Sequence, residues 1–349
     1  MNFDDMKANM GSGKALANQS TIAAKENILS FFGRVNYTMM DKYLLAVTVR
    51  ADGSSKFGSG NRWGVFPSAA LAWRISDEAF MSNTQDWLSA LKLRLSFGTA
   101  GNNRINSGLL STTYSLGGND ARNPFFNGES TTMLEHGTNL YNPDLKWETT
   151  YTLNARLDLG FLNQRIQLIS EYYWKDTKDL LINASLPAHL GYSTAYRNVG
   201  RVENKGFEFT LSTVNIATKK FRWNSDFNIS FNRNKVLALA NDQTVLPSDQ
   251  KIPNGASLYI ARVGQPIGMM YGALTDGLYQ YEDFDRASDG SWILKGDRPS
   301  QSTTTNRGAV LPGYQRFKDL NNDLQITQDD MTIIGNPNPD FIGGFTNNF

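Results

Sequence analysis

The sequence predicts an all-β chain, part of a large antiparallel transmembrane β-barrel, on three observations. Segment after segment switches between apolar and polar side chains at every residue, the period that places one set on each face of a sheet. The segments run nearer to the roughly 9 to 11 residues that a tilted strand needs to cross a bilayer than to the roughly 5 to 6 of ordinary strands. The links between them alternate between short and long, as turns at one rim and loops at the other do in outer-membrane barrels.

Taken in order, 29–39 and 43–52 alternate with some interruption, and the second holds "LLAVTV", among the longest apolar runs in the chain. "DGSSKFGSGNR" then breaks the pattern, and its glycines and serines read as a water-exposed loop before alternation resumes over 65–76. In "LKLRLSFG" the split is complete: Leu91, Leu93, Leu95 and Phe97 against Lys92, Arg94 and Ser96. "YTLNARLDLGF" sets Tyr151, Leu153, Ala155, Leu157, Leu159 and Phe161 against Thr152, Asn154, Arg156, Asp158 and Gly160. Segments 165–175 and 206–214 follow, and "FRWNSDFNISFN" sets Phe221, Trp223, Phe227, Ile229 and Phe231 against amides, Arg222, Asp226 and Ser230. With a further strand starting near the last residue, about nine strands are expected. Short links fall at 40–42, 162–165 and 215–220, and long ones at about 53–62, 101–146, 177–202 and 235–340. The link at 77–90 is longer than the rule expects on the short side.

Composition narrows the class. Of 349 residues 12% are aromatic, and the net charge of +1 supplies no field to gather nucleic acid, which is not expected as a partner. The absence of cysteine excludes a disulfide scaffold, a thiolate metal site and a cysteine nucleophile. No run approaches the ~18 apolar residues of a membrane helix. The first 28 residues read as a polar lead-in, an extracellular loop of a longer chain, and their early acids and lack of an apolar core do not suit a signal peptide. Charged side chains on the polar faces (Arg94, Arg156, Asp158, Glu171, Asp226) suit a wet lumen, while Tyr43, Tyr172, Trp174, Phe221 and Trp223 sit where aromatic girdles do.

"YLLAVTVRADGSSKFGSGNRWGVFPSAALAWRISDEAFM", "LKLRLSFGTAGNN", "NPDLKWETTYTLNARLDLGFLNQRIQLISEYYWKDTKDLL", "NVGRVENKGFEFTL" and "FKDLNNDLQITQDDMTIIGNPNPDFIGGFTNNF" stand in this order. Together they resemble the SusC/RagA-type TonB-dependent transporters of Bacteroidetes outer membranes, from about residue 31 to the end. The resemblance implies a barrel of about 22 strands closed by an N-terminal plug. It also implies import of glycans or peptides driven through the TonB system, a SusD-like surface lipoprotein as partner, outer-membrane lipid around the wall, and no catalytic residues. Residues 29–349 would be the partial barrel, without the plug and without the segment that engages TonB.

Several motifs compete for a sharper role. "DLNNDLQITQDD" spaces Asp319, Asn321, Asp323 and Asp330 as a calcium loop does, but Leu324 stands where a glycine makes the turn. Structural calcium is the only metal the sequence raises; a turn-rich loop capping its own backbone explains the same residues. "GSGKA" at 11–15 lacks the remainder of a phosphate loop, "SDQK" at 248–251 has no partner motif, and His136 and His189 lie in different loops. Aromatic residues of the outward loops are candidates for stacking on cargo: Trp63, Tyr114, Phe125, Phe126, Tyr141, Tyr192, Tyr196, Tyr259 and Trp292. Packing of loop on loop, or a place in the rim girdle, is the alternative for each. Two other classes remain open: a passive porin, and a secreted soluble β-sandwich carbohydrate-binding module whose second sheet would cover the apolar face.

Overall fold

The computed structural model describes residues 26–105, 114–116, 125–126, 129–130, 134–137, 139–239, 245–247, 257–300 and 309–349. The sequence readings at 1–25, the 11–15 motif among them, and at 248–251 lie outside these. The chain divides into two compact units, residues 1–201 and 202–349.

The first unit holds six long strands: β1 (Ile28–Met39), β2 (Tyr43–Ser54), β3 (Trp63–Arg74), β4 (Leu88–Asn102), β5 (Glu148–Phe161) and β6 (Ile166–Lys178). Each pairs antiparallel with the next in chain order. They run from 12 to 15 residues, longer than the alternation alone suggested except for β3, which keeps the expected length but starts at Trp63 and ends at Arg74 rather than running over 65–76. Their outward ends continue past the alternating part into the loops, where pairing is kept but the sides no longer differ in polarity. The second unit holds β7 (Arg201–Ala217, beginning at the boundary), β8 (Arg222–Ala238) and β9 (Ile342–Asn348).

Register turns the sequence period into two continuous surfaces. Tyr37 faces Leu45, Leu45 faces Leu71, Leu71 faces Leu95 and Leu95 faces Ala155, so one apolar row crosses five strands. A second row runs Trp73, Leu93, Leu157. In the second unit Phe227 faces Phe345, and Phe221 and Trp223 gather around Phe349. This face stays uncovered: Val35 is 69% exposed and Leu153 47%. A soluble sandwich would bury it against a second sheet, and among the described residues none covers it. Among the described residues no helix is long and apolar enough to cross a membrane, which says nothing of crossing by strands.

The tight turns accept unusual backbone for the sake of the pairing. Met40 and Asp41 between β1 and β2, and Leu162, Asn163 and Gln164 between β5 and β6, all have positive φ. Such dihedrals match the right-handed twist of the flanking strands, and they occur here without glycine, so the paired strands outweigh a local cost of roughly 1 kcal/mol per residue.

The longer link, 75–87, is not loose. It forms two 3-10 turns, Ile75–Asp77 and Ala79–Thr84, with Glu78 between them. Tyr43 and Trp73, cross-strand partners stacked at 6.2 Å, both donate to one oxygen of Glu78, the hydroxyl at 2.7 Å and the indole N–H at 3.0 Å. Lys42 donates to the other oxygen at 3.1 Å. With Tyr43, Trp73 and Lys42 all favouring the anion, Glu78 is held at about 2.

Two outcomes test this architecture. Leu95→Arg on the apolar face is expected to destabilise the complete barrel by about 2 to 4 kcal/mol if near the bilayer midplane, and Ser96→Arg on the polar face by less. Reversible urea unfolding in phospholipid vesicles measures both, and the reverse ranking would invert the assignment of faces. The Glu78 tie, whose carboxylate titrates at about 2 rather than the ordinary 4.5, contributes fully above about pH 4.5 and is lost as the pH falls through about 2. Acid titration followed by tryptophan emission should therefore show a step near pH 2 that Glu78→Gln lacks.

Candidate functional site

The polar face of the first unit is a charged wall. Lys92, Arg94 and Ser96 of β4 face Asp158, Arg156 and Asn154 of β5, and Arg156 in turn faces Glu171 of β6. Arg94 and Arg156 are thus directly opposite, an arrangement that repels. Asp158 reconciles them, taking Arg94 at 2.6 Å and Arg156 at 2.8 Å, while Glu171 lies 3.6 Å from Arg156 on the other side. Arg34, Asn36, Ser96, Asn154, Arg156 and Glu171 are among the residues lining an open cavity of about 500 Å3 on this wall. Arg94, Arg156 and Glu171 are thereby brought together. Asp226, in the second unit, faces Thr346 on the corresponding polar side of β8.

Above the wall the loops of the first unit are knotted. Phe57 is fully buried, with Phe66, Ile105, Leu145 and Trp147 around it and Leu181 and Tyr196 packed against them. Trp147 meets Phe57 at 5.4 Å and Phe66 at 5.5 Å, and its indole N–H donates to the carbonyl of Arg62 at 2.9 Å. Gly101 is needed here, since a Cβ at that position would collide with the Phe66 ring. Side-chain amides tie the segments: Asn61 donates to the Asp144 carbonyl, Asn142 to that of Tyr196, and Asn198 to those of Lys146 and Asp179. The buried carboxylate of Asp176 receives both arms of Arg201 at 2.7 Å.

The loop aromatics part company. Tyr196 is half-buried in the knot, in a small sheet made of Asn139–Leu140, Thr194–Asn198 and Leu181–Ser185. Trp63 is 52% exposed on the apolar face, stacked on Phe31 at 6.0 Å. Tyr141 is at the edge of exposure, and Tyr192 is half-buried. Tyr114 lies in the strand Tyr114–Leu116 and Phe125–Phe126 forms a short strand of its own.

In the second unit the 239–341 loop holds structure that alternation did not disclose. Val245–Pro247, Tyr259–Arg262, Met269–Ala273 and Met331–Gly335 form one small sheet, in which Tyr259 faces Met270. Tyr279, Phe284, Leu294 and Val310 form a separate core. Trp292 packs on it, with Tyr281 at 5.4 Å and the Arg286 guanidinium 5.1 Å above its ring.

The acidic loop directs its oxygens to its own backbone. Asp319 accepts from the amides of Asn322, Asp323 and Leu324, and Asp323 from that of Gln325. Asn321 joins in both ways, accepting from the Asp323 amide and donating to its carboxylate. Asp330 is fully buried; burial pushes its carboxyl up, but the amides of Thr327, Leu320 and Asn321 outweigh this and hold it below the usual range. Leu324, where a glycine would make the turn, adopts φ 64°. Among the described residues no group of three or more His, Cys, Asp or Glu side chains is gathered as a metal would need.

Against this geometry, the model of the "TonB dependent receptor-like, beta-barrel" family matches residues 2–335. The chain belongs to that family. TonB-dependent receptor P26 of Formosa agariphila is 37% identical over 325 residues, covering 92% of this chain and 30% of the relative. TonB-dependent receptor SusC of Bacteroides thetaiotaomicron is 38% identical over 226 residues, 64% of this chain and 22% of the relative. The structure of the RagAB peptide transporter superimposes with a TM-score of 0.69 at 26% identity, over 96% of this chain and 33% of that one. The chain therefore spans about a third or less of the length of the relatives it matches.

For this receptor chain, sequence reasoning placed Arg94, Arg156, Asp158, Glu171 and Asp226 on the polar face but did not foresee that Asp158 joins the two arginines, nor the Phe57 knot and the Asp176–Arg201 pair. The signal for the knot was present: "NPDLKWE" places Leu145 and Trp147 outside any alternating segment. With Asp158→Asn, Arg94 and Arg156 face each other without the carboxylate they share, Glu171 remaining beside Arg156 alone, and the complete barrel should lose roughly 1 kcal/mol. Adding Arg94→Leu should restore most of it, because the repulsion then has only one member. Urea unfolding of the single and double variants measures this.

Proposed function

We propose that this chain forms part of the wall of an outer-membrane importer that works with a SusD-like surface lipoprotein, draws energy from the TonB system, and carries oligosaccharides or peptides. The observation that carries the reading is the two-sided wall in a chain of the TonB-dependent receptor family: a continuous apolar exterior opposite a charged, hydrogen-bonding interior. A wet interior suits solutes that keep polar contacts along their path. Likeness to a structure described as a peptide transporter supports peptide cargo, and the resemblance to SusC-type proteins leaves oligosaccharides beside it.

Uptake of labelled oligosaccharide and peptide pools by cells carrying the complete transporter tests this. Import is expected to stop when the proton gradient is collapsed, when TonB is deleted, or when the partner lipoprotein is removed. Import that continues under all three would identify a passive porin instead, and whichever pool enters sets the cargo class.

A further inference from the structure

The link 75–87 is far longer than its task of joining β3 to β4 requires, since 40–42 and 162–165 suffice for the other two hairpins at this rim. Both of its ends are pinned to the same side of the wall. At the start, Glu78 is bonded to Tyr43 and Trp73, whose register places them in the apolar rows with Leu45 and Leu71. At the finish, Trp87 stacks on Phe161 at 6.2 Å with an interplanar angle of 17°, and its carbonyl accepts the amide of Leu162 at 3.0 Å. Phe161 belongs to the apolar alternation of β5. A link that crossed beneath the wall toward the lumen would have no reason to be fastened twice to the exterior.

Between these two fastenings the segment exposes an aromatic ring. Phe80 is 67% exposed and Trp87 52%, beside Met40 at 75% and Leu162 at 51% in the neighbouring turns. Rings with that exposure at the end of an apolar barrel face are what the headgroup region of a bilayer takes up. The polar tips of Tyr43 and Trp73, which would ordinarily reach for lipid headgroups, are instead both bonded to Glu78. Those two side chains hold the segment, and the most exposed ring along it is Phe80.

We infer that residues 75–87 form a membrane-seated foot: Glu78 clamps the segment against the lipid-facing rim and Phe80 inserts into the phospholipid interface of the periplasmic leaflet. The inference rests on the membrane-barrel reading of the wall. It extends the lipid-contacting surface beyond the strands, along the plane of the membrane.

The test uses the complete transporter in phospholipid vesicles. This chain has no cysteine, so Phe80→Cys adds one attachment point within it for a nitroxide. Power-saturation spectroscopy with oxygen and a water-soluble nickel chelate then gives the depth of the label. At position 80 collisions with oxygen should exceed those with nickel, a positive depth parameter, and Glu78→Ala should shift it toward water. Leu153→Cys, mid-strand on the apolar face, is the reference. If position 153 reads as deep lipid while position 80 collides mainly with nickel, or with neither reagent, the foot is refuted and the barrel stands. If position 153 itself reads as water, the membrane reading has failed instead.

Discussion

Everything in this chain depends on the requirement that a strand in hydrocarbon must have its amides and carbonyls bonded within the protein, because lipid offers no replacement. Six antiparallel strands, each paired with the next and shifted in register only at Gly160/Phe161, meet it for the first unit, and the side chains are free to differ only within what pairing allows. Period two then assigns each residue to one of two solvents. Positive φ at residues such as Met40 and Leu162 shows the order of priority: turn geometry yields to the ladder.

The two faces use different physics for neighbouring residues. Outside, Leu71, Leu95 and Ala155 need only be apolar, and their neighbours are interchangeable. Inside, Arg94, Arg156 and Asp158 are specific to one another, since like charges placed opposite by register need a third group between them. The exterior therefore tolerates change of shape and the interior tolerates change of neither sign nor register. At the rims the division ends, and mixed clusters such as Tyr43, Trp73 and Glu78 join aromatic rings to a single carboxylate.

How legible this was depends on range. Alternation is local, so the wall, its faces and the place of its turns could be read from Leu91 to Phe97 and from Tyr151 to Phe161. Register is not local: nothing in "LKLRL" or "ARLDL" announces that Arg94 meets Arg156, which follows only once the strands are aligned. The knot around Phe57 draws on residues from 57 to 196 and obeys no period, so its members resembled ordinary loop aromatics. Tyr196 illustrates the limit, because its sequence surroundings suit cargo contact and packing equally. The small sheets of the 239–341 loop escaped because their strands are only three to five residues long, too short for a pattern to declare itself.

The amides that bind the outer loops of the first unit carry one more consequence. Asn61, Asn142 and Asn198 are neutral, and their partners are backbone carbonyls. Fastenings of that kind have no ionic atmosphere to be screened and no proton to gain or lose, unlike surface ion pairs. These amide fastenings of the face turned to the surroundings are thus indifferent to salinity and acidity, whereas the ion pairs beside them, Asp176 with Arg201 and Lys146 with Asp179, are not.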